Sequence, residues 1–333
     1  MLQVMIKNVA VIGSGSWATA LVKIFTESKI AVKWLVRGEE LAGQIIDTGS
    51  NPRYLSSVDL NLKLVKPVTK FEEAIPGSEI VIFALPSAYL QSAVESIEPG
   101  LLENVQVAVS IKGFIPGTGK VPGRFVYETA GLSKPVMVIG GPCHAEEIAI
   151  GRNTYITIAC ENSRLSDTFC KSLNVKYLRA IASNDPAGVE YVAILKNIIG
   201  IATGIADGLN YGENFQAVLV SNAMREVNRF LQLVSPVERD LFDSAYFGDL
   251  LVTAYSDYSR NRTLGKLVGR GIKVTQALHA MEMVAEGYHA SRELSGILRN
   301  MNGSFPVIDS VHRILHHHAS AFHEFKLIET QLR

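Results

Sequence analysis

Cysteine is scarce in this chain of 333 residues, which has only Cys143, Cys160 and Cys170. Thiols so few and so scattered exclude a disulfide framework and a zinc site of ordinary spacing, and a reducing compartment is the simplest setting. No excess of one charge is present either: Lys plus Arg and Asp plus Glu both total 32. That balance gives no sign of a nucleic-acid or membrane surface, although a local basic pocket would not register in the total. Uninterrupted apolar runs stop short of the roughly 18 residues that a bilayer span needs. A secretory signal is missing as well, because Lys7 breaks the opening apolar stretch and residues 9–12 run straight into a glycine turn. These absences predict a cytoplasmic protein with no nucleic acid and no membrane insertion. His316, His317 and His318 form a triplet inside a polar helical tail. A solvated helix face accounts for them better than a metal does, and no metal is expected.

What the chain does have is core-forming material, 47% hydrophobic against 19% charged, in a length that suits about two domains. The first half alternates short β-branched runs with helical segments. Strands are predicted over residues 9–12, 32–36, 80–85, 105–110, 136–139 and 155–159, with a helix over 16–28. This alternation implies an α/β domain: a Rossmann-like, doubly wound, mostly parallel sheet covered on both faces. Near Ser183 the pattern changes to helical period throughout. Asp185-Pro186 supplies an N-cap acceptor followed by proline at the first helical position. The predicted division is therefore 1–184, dinucleotide-binding, and 185–333, an all-helical substrate-binding and catalytic domain.

Gly13-Ser-Gly15-Ser-Trp-Ala18 follows the first strand and opens the first helix. In such a turn the first glycine permits the tight bend and the second lets backbone approach a pyrophosphate; the third position, here Ala18, keeps helix and sheet close. The helix N-terminus adds free N–H groups and a favourable dipole. The setting points to NAD or NADP and hence to a dehydrogenase. At the end of the second strand, where an acid would favour NAD, stands Arg37, with Glu39 and Glu40 shortly after. Arg37 makes a 2′-phosphate acceptable, and a solvated strand-end arginine explains it almost as well.

Along the helix that opens at Asp185, Gly188, Val192, Lys196, Gly200, Gly204 and Gly208 recur every four residues and share a ridge. Each glycine within a helix costs roughly 1 kcal/mol against alanine, so another backbone or a ligand must come close. Lys196, with Asn197 beside it, is either a snorkelling surface residue or a desolvated proton donor to a carbonyl under reduction. Lys112 closes a strand in Ser110-Ile-Lys112-Gly113, and ligands of open α/β sheets bind beyond carboxyl ends of strands. Gly141-Pro-Cys143-His-Ala145-Glu-Glu147 follows another strand. Asp249, Thr253 and the Ser259-Arg260-Asn261-Arg262 run bring an acid, hydroxyls and guanidinium groups together. Arginine suits a phosphate because its fork binds two oxygens.

Taken in order, these motifs, with Leu195-Lys-Asn197, Asp207-Gly-Leu209, Gly248-Asp-Leu250, Val284-Ala-Glu-Gly287 and Phe305-Pro-Val-Ile308, resemble the bacterial-type NAD(P)-dependent sn-glycerol-3-phosphate dehydrogenase family. The resemblance runs through most of the chain. It implies hydride transfer between NAD(P)H and dihydroxyacetone phosphate, giving sn-glycerol 3-phosphate for phospholipid synthesis; apart from the resemblance, the apolar helices of the second half suit a homodimer. The resemblance also implies that Lys196 is the general acid/base, that Lys112 and Asn197 orient and polarise the carbonyl, and that Asp249 positions the lysine or a substrate hydroxyl. Arg260 and Asn261 would hold the phosphate, with Ser259 and Thr253 nearby, and Gly141 and Cys143 would line the substrate side. Gly13, Gly15, Ser16, Trp17, Arg37, Lys112, Ala145, Arg260, Val284 and Glu286 match dinucleotide contacts.

Several positions depart from the family's pattern. Cys143 replaces a Ser or Thr, Phe114 stands where Ile-Glu is common, and Phe215-Gln216 and Ser221-Asn222 replace Thr-Lys and Thr-Arg. The last two pairs put an auxiliary phosphate or subunit contact in question. Two other readings compete: a Rossmann-plus-helical reductase of another small 2-oxo acid or sugar phosphate, and a non-catalytic dinucleotide sensor. Arg260 speaks against a substrate without phosphate. Lys196, Asn197 and Asp249 speak against a sensor, which needs no proton donor.

Overall fold

The computed structural model describes residues 5–281 and 284–333. Two compact units make up the chain, Met1–Ile111 with Lys120–Glu190, and Lys112–Gly119 with Tyr191–Arg333.

The first unit is built on a sheet of eight strands: β1 (Asn8–Ile12), β2 (Ala31–Leu35), β3 (Val65–Val68), β4 (Ile80–Phe83), β5 (Gln106–Val109), β6 (Met137–Gly140), β7 (Thr154–Ala159) and β8 (Leu178–Ser183). Their order is β3-β2-β1-β4-β5-β6-β7-β8, and every pairing is parallel except β6 with β7. Strands β4, β5 and β6 are buried along their whole length, as expected of central strands covered on both faces. The strand order reverses between β1 and β4, and ligands of such sheets sit at that switch point. Two strands are absent from the sequence reading, and both lie at sheet edges. Pro67 lies within β3, which an edge strand tolerates, and β8 is only half-buried, so neither shows a continuous apolar run.

The second unit is helical, with no strand among its described residues. Its central element is the latter part of the helix Pro186–Gly208, where Val192, Ile194, Leu195, Ile198, Ile199, Ile201, Ala202, Ile205 and Ala206 are all fully buried. By length and hydropathy this helix could cross a membrane, which the absence of an uninterrupted apolar run had argued against. Yet 94% of its most apolar window is covered by the protein itself. A helix apolar all round is a core helix when other elements surround it. Close approach comes from the helix Arg260–Gly269: a Cβ on Gly204 would strike the Arg262 carbonyl, one on Gly208 the Lys266 carbonyl, and one on Gly265 the Ile201 carbonyl. The glycine ridge therefore serves another backbone at Gly204 and Gly208.

The stretch 305–308 also has a structural reading. Pro306 opens the helix Pro306–His316, and the buried Glu226 carboxyl accepts from Val307 N (2.8 Å) and Ile308 N (3.1 Å). Burial pushes that carboxyl up to about 7, while the same hydrogen bonds pull it down. The histidine triplet divides. His317 and His318 are exposed, but His316 is half-buried, its ring tilted against Tyr288 at 4.7 Å and its Nε2 2.9 Å from Ser291 Oγ. It is therefore a packing residue rather than part of a solvated face.

Two outcomes follow for stability. Gly204→Ala should lose about 1–3 kcal/mol in urea unfolding, because the opposing atom is backbone and cannot yield. Gly43→Ala, where a Cβ meets nothing within 4 Å, should gain about 0.5–1 kcal/mol. For Glu226, the folded protein holds the proton more tightly than the unfolded chain, so its contribution is intact in acid and lost as pH rises through about 7. Melting curves of Glu226→Gln should therefore improve relative to wild type between about pH 5 and about pH 8; a pH-independent difference would contradict this.

Candidate active site

In the first unit, the turn after β1 has the shape an anion needs. Gly13 has φ +131°, and a Cβ there would run into the Ala84 carbonyl that follows β4, so only glycine fits. Gly15 precedes the helix Ser16–Glu27, and a Cβ on it meets nothing within 4 Å. That helix has neither a side-chain cap nor an acid in its first turn, which leaves its dipole uncompensated for a phosphate. Ala18 is fully buried in the third glycine's place. These residues fit a dinucleotide pyrophosphate. Trp17 carries its indole N–H to Ser110 Oγ (2.7 Å), which itself donates to the Ile139 carbonyl (2.9 Å). Arg37 is exposed just beyond β2. Of the two acids that follow, Glu39 accepts from Thr69 Oγ1 and Glu40 lies 3.4 Å from Arg53.

Gly141, Cys143 and Ala145 also belong to this unit. Gly141 has φ +101°, and a Cβ on it would press within 3.2 Å of backbone in β7. Cys143 is buried and donates its thiol to the Gly141 carbonyl at 3.1 Å. Ala145 begins the short helix Ala145–Ala149.

The second unit gathers Lys112, Lys196, Asn197, Asp249, Ser259, Arg260, Asn261, Val284 and Glu286. Lys196 is 3% exposed and Asp249 0%, and Lys196 Nζ donates to Asp249 Oδ1. This excludes a snorkelling lysine. Asp249 begins the helix Asp249–Tyr255 directly after a wide, π-type turn, Ser244–Gly248, of the kind that often re-aims side chains at functional sites. Its Oδ2 is buried with no hydrogen-bond partner, so half of a buried carboxylate is left for something else to satisfy. Thr253 Oγ1 donates to the Asp249 carbonyl at 3.0 Å.

Beside the ion pair runs a line of amides. Gly287 N–H donates to Asn261 Oδ1 (2.9 Å), Asn261 Nδ2 to Asn197 Oδ1 (3.0 Å), and Asn197 Nδ2 to the Lys112 carbonyl (2.9 Å). Ser259 is the N-cap of the helix Arg260–Gly269, its Oγ accepting from Arg262 N at 3.3 Å. Arg260 therefore sits in the first turn, where a helix attracts anions. Val284 is 58% exposed, and Glu286 opens the helix Glu286–Leu298.

Residues that the sequence reading passed over, or left without a role, also bear on the site. Arg262 pairs with Asp207 (3.2 Å) and Asp257 (3.1 Å), and Lys266 with Asp207 (2.8 Å). The Lys266 hydrogen bond chiefly holds the Asp207 carboxyl below its usual range. The Asp207 motif thus ties down the helix that carries Arg260 and Asn261. Three of the departing residues have local partners. Phe114 is buried 6.4 Å from the Tyr191 ring, Phe215 lies 4.2 Å from the Tyr211 ring, and Asn222 Nδ2 donates to the Arg333 carbonyl at 3.0 Å. Among the described residues no group of three or more His, Cys, Asp or Glu side chains is placed to hold a metal.

Comparison with known proteins agrees with both halves of the chain. Residues 8–166 match the family described as NAD-dependent glycerol-3-phosphate dehydrogenase N-terminus, and residues 185–325 its C-terminus. The NAD(P)+ glycerol-3-phosphate dehydrogenase of an Exiguobacterium species is 32% identical over 96% of this chain and 94% of its own. That of Nitrosococcus oceani is 30% identical over 92% and 89%. The crystal structure of the Coxiella burnetii glycerol-3-phosphate dehydrogenase superposes with a TM-score of 0.89 at 26% identity, covering 97% of this chain and 98% of that one.

The ion pair yields a test that is independent of activity. Lys196→Met or Asp249→Leu alone should cost about 3–5 kcal/mol in urea unfolding, since each strands a buried charge. The double variant should be more stable than either single one. Strict additivity would show that the two do not interact.

Proposed function

The chain belongs to the NAD-dependent glycerol-3-phosphate dehydrogenase family, and from that membership we propose how its own residues carry the reaction. It is an NAD(P)-dependent oxidoreductase that interconverts dihydroxyacetone phosphate and sn-glycerol 3-phosphate. The observation that carries the site reading is the buried Lys196–Asp249 pair, set beside the Asn197–Asn261 amides. The dinucleotide, when bound, supplies the hydride. Lys196 gives its proton to the substrate oxygen as the carbonyl is reduced, and takes it back in the reverse direction. Asp249 holds the ammonium in a single position, and its unpartnered Oδ2 is available to a substrate hydroxyl. Lys112 and the remaining N–H of Asn197 polarise the carbonyl.

Arg260, in the first turn of its helix, grips the phosphate together with the helix N-terminus and Asn261. Binding energy from that non-reacting phosphate fixes the reacting carbon in register. Gly141 and Cys143 line the substrate side. Gly13, Gly15, Ser16, Trp17, Arg37, Ala145, Val284 and Glu286 hold the dinucleotide, with Lys112 and Arg260 reaching it too. Arg37, with Glu39 and Glu40 each engaged elsewhere, supports acceptance of NADP as well as NAD. The resemblance further supports a cytoplasmic enzyme that supplies phospholipid synthesis, and the apolar helices of the second half support a homodimer.

Absorbance assays with dihydroxyacetone phosphate and either NADH or NADPH test this reading. Lys196→Ala should lose about 10²–10⁴ in kcat, the usual worth of a positioned proton donor. Arg260→Ala should raise KM by about 10- to 100-fold, the worth of a charge-assisted hydrogen bond. Full turnover by Lys196→Ala would overturn the assignment of the proton donor.

A further inference from the structure

Three consecutive carbonyls of the phosphate turn each receive a hydrogen bond from a buried side chain. Trp34 Nε1 donates to Gly13 O at 2.6 Å, Asn51 Nδ2 to Ser14 O at 3.0 Å, and Thr19 Oγ1 to Gly15 O at 3.0 Å, the last beside the main-chain bond from Thr19 N to the same carbonyl (3.0 Å). The donors come from three places: the middle of β2, the loop after the helix Glu39–Thr48, and the helix that the turn itself opens. All three side chains are 0% exposed. Asn51 also donates to Thr19 Oγ1 (2.9 Å) and accepts from Arg53 N (3.1 Å). A backbone N–H can only donate and a carbonyl can only accept, so the orientation of the Asn51 amide is fixed by its partners.

A trans peptide carries its C=O and N–H on opposite sides of one plane. Pinning the carbonyls of Gly13, Ser14 and Gly15 therefore turns the N–H groups of Ser14, Gly15 and Ser16 the other way. Those N–H groups lead into a helix N-terminus without a side-chain cap. They are the donors that a pyrophosphate would use.

We propose that Trp34, Asn51 and Thr19 are positioning residues for the dinucleotide, holding the turn's carbonyls so that three successive N–H groups face the pyrophosphate before it arrives. The proposal rests on the reading of this turn as the dinucleotide site. It does not need the ligand to touch any of the three side chains. Its content is preorganisation: without these bonds the peptide planes must be set at the expense of binding energy.

Calorimetric titration with NADH and with ADP-ribose, which keeps the pyrophosphate and lacks the nicotinamide, tests the proposal. Far-UV circular dichroism confirms that each variant is folded. Asn51→Ala and Thr19→Val should each raise both Kd values by about 3- to 10-fold, the worth of one side-chain hydrogen bond to a turn carbonyl. Thr19→Ser, which keeps the hydroxyl, should bind like wild type. Trp34→Phe removes the indole donor along with part of a fully buried ring, and its Kd values should rise as those of Asn51→Ala do. Unchanged Kd values in folded Asn51→Ala and Thr19→Val would overturn the positioning role and leave the dinucleotide site standing. Failure of wild type to bind NADH, NADPH and ADP-ribose would overturn both.

Discussion

An ammonium group at 3% exposure, on a helix covered on all sides, is the constraint around which the helical unit is organised. Desolvating such a charge costs several kcal/mol unless a counter-charge and hydrogen bonds compensate. Asp249 is that counter-charge, and the way it is delivered shapes its surroundings. The wide turn Ser244–Gly248 aims Asp249 inward, and Thr253 Oγ1 ties down its carbonyl. Next to it, Gly200 leaves room for neighbours: a Cβ there would stand 3.0 Å from Thr253 Cγ2 and 3.3 Å from Asn261 Cβ. The glycine ridge thus does two jobs along one helix. Near Lys196 it brings polar side chains within reach, and at Gly204 and Gly208 it lets a helix backbone close in.

The sheet unit solves a different problem with different means. A phosphate turn must expose N–H groups to a ligand while its carbonyls are buried, and a buried carbonyl without a donor is costly. Side chains from β2, the loop after Glu39–Thr48 and the turn's own helix meet that need together. The strand register contributes, since Trp34 lies opposite Val11, two residues short of Gly13. Sheet order and turn chemistry are therefore linked. Moving β2 by one residue would turn Trp34 to the other face of the sheet.

Much of this was legible in the sequence, and the limits have physical causes. The parallel sheet, the helical second half and the glycine turn show up through periodicity and turn chemistry, which are local signals. Strands β3 and β8 escape because edge strands lack a continuous apolar run. The glycine ridge announces close approach but not what approaches; only the fold shows the Arg262 and Lys266 carbonyls there. Glu226 looks in sequence like any polar helix residue, yet it holds two backbone N–H groups at the start of Pro306–His316. Asn51 and Trp34 are invisible for the same reason, because the turn atoms they hold are backbone carbonyls and backbone carries no sequence signature. Lys196, Asn197, Arg260 and Asn261 were singled out through motif order, a signal that spans whole segments rather than single contacts.

The amide line sharpens what those motif residues can do. Gly287 N–H can only donate and the Lys112 carbonyl can only accept, so the two carboxamides between them have one consistent orientation. Asn261 has its Oδ1 engaged by Gly287, and Asn197 has its Oδ1 engaged by Asn261. Each oxygen is thus engaged within the protein, and each amide retains a second N–H, a donor. A phosphate oxygen and a carbonyl oxygen both call for donors. The line thus engages the amide oxygens within the protein and leaves N–H donors at Asn197 and Asn261. Because it begins at Gly287 and ends at Lys112, it also joins the segment bearing Glu286 to the backbone bearing the second lysine. Hydrogen bonds aligned in this way reinforce one another, so the orientation of the donors at Asn197 and Asn261 is set by the fold rather than by the ligand.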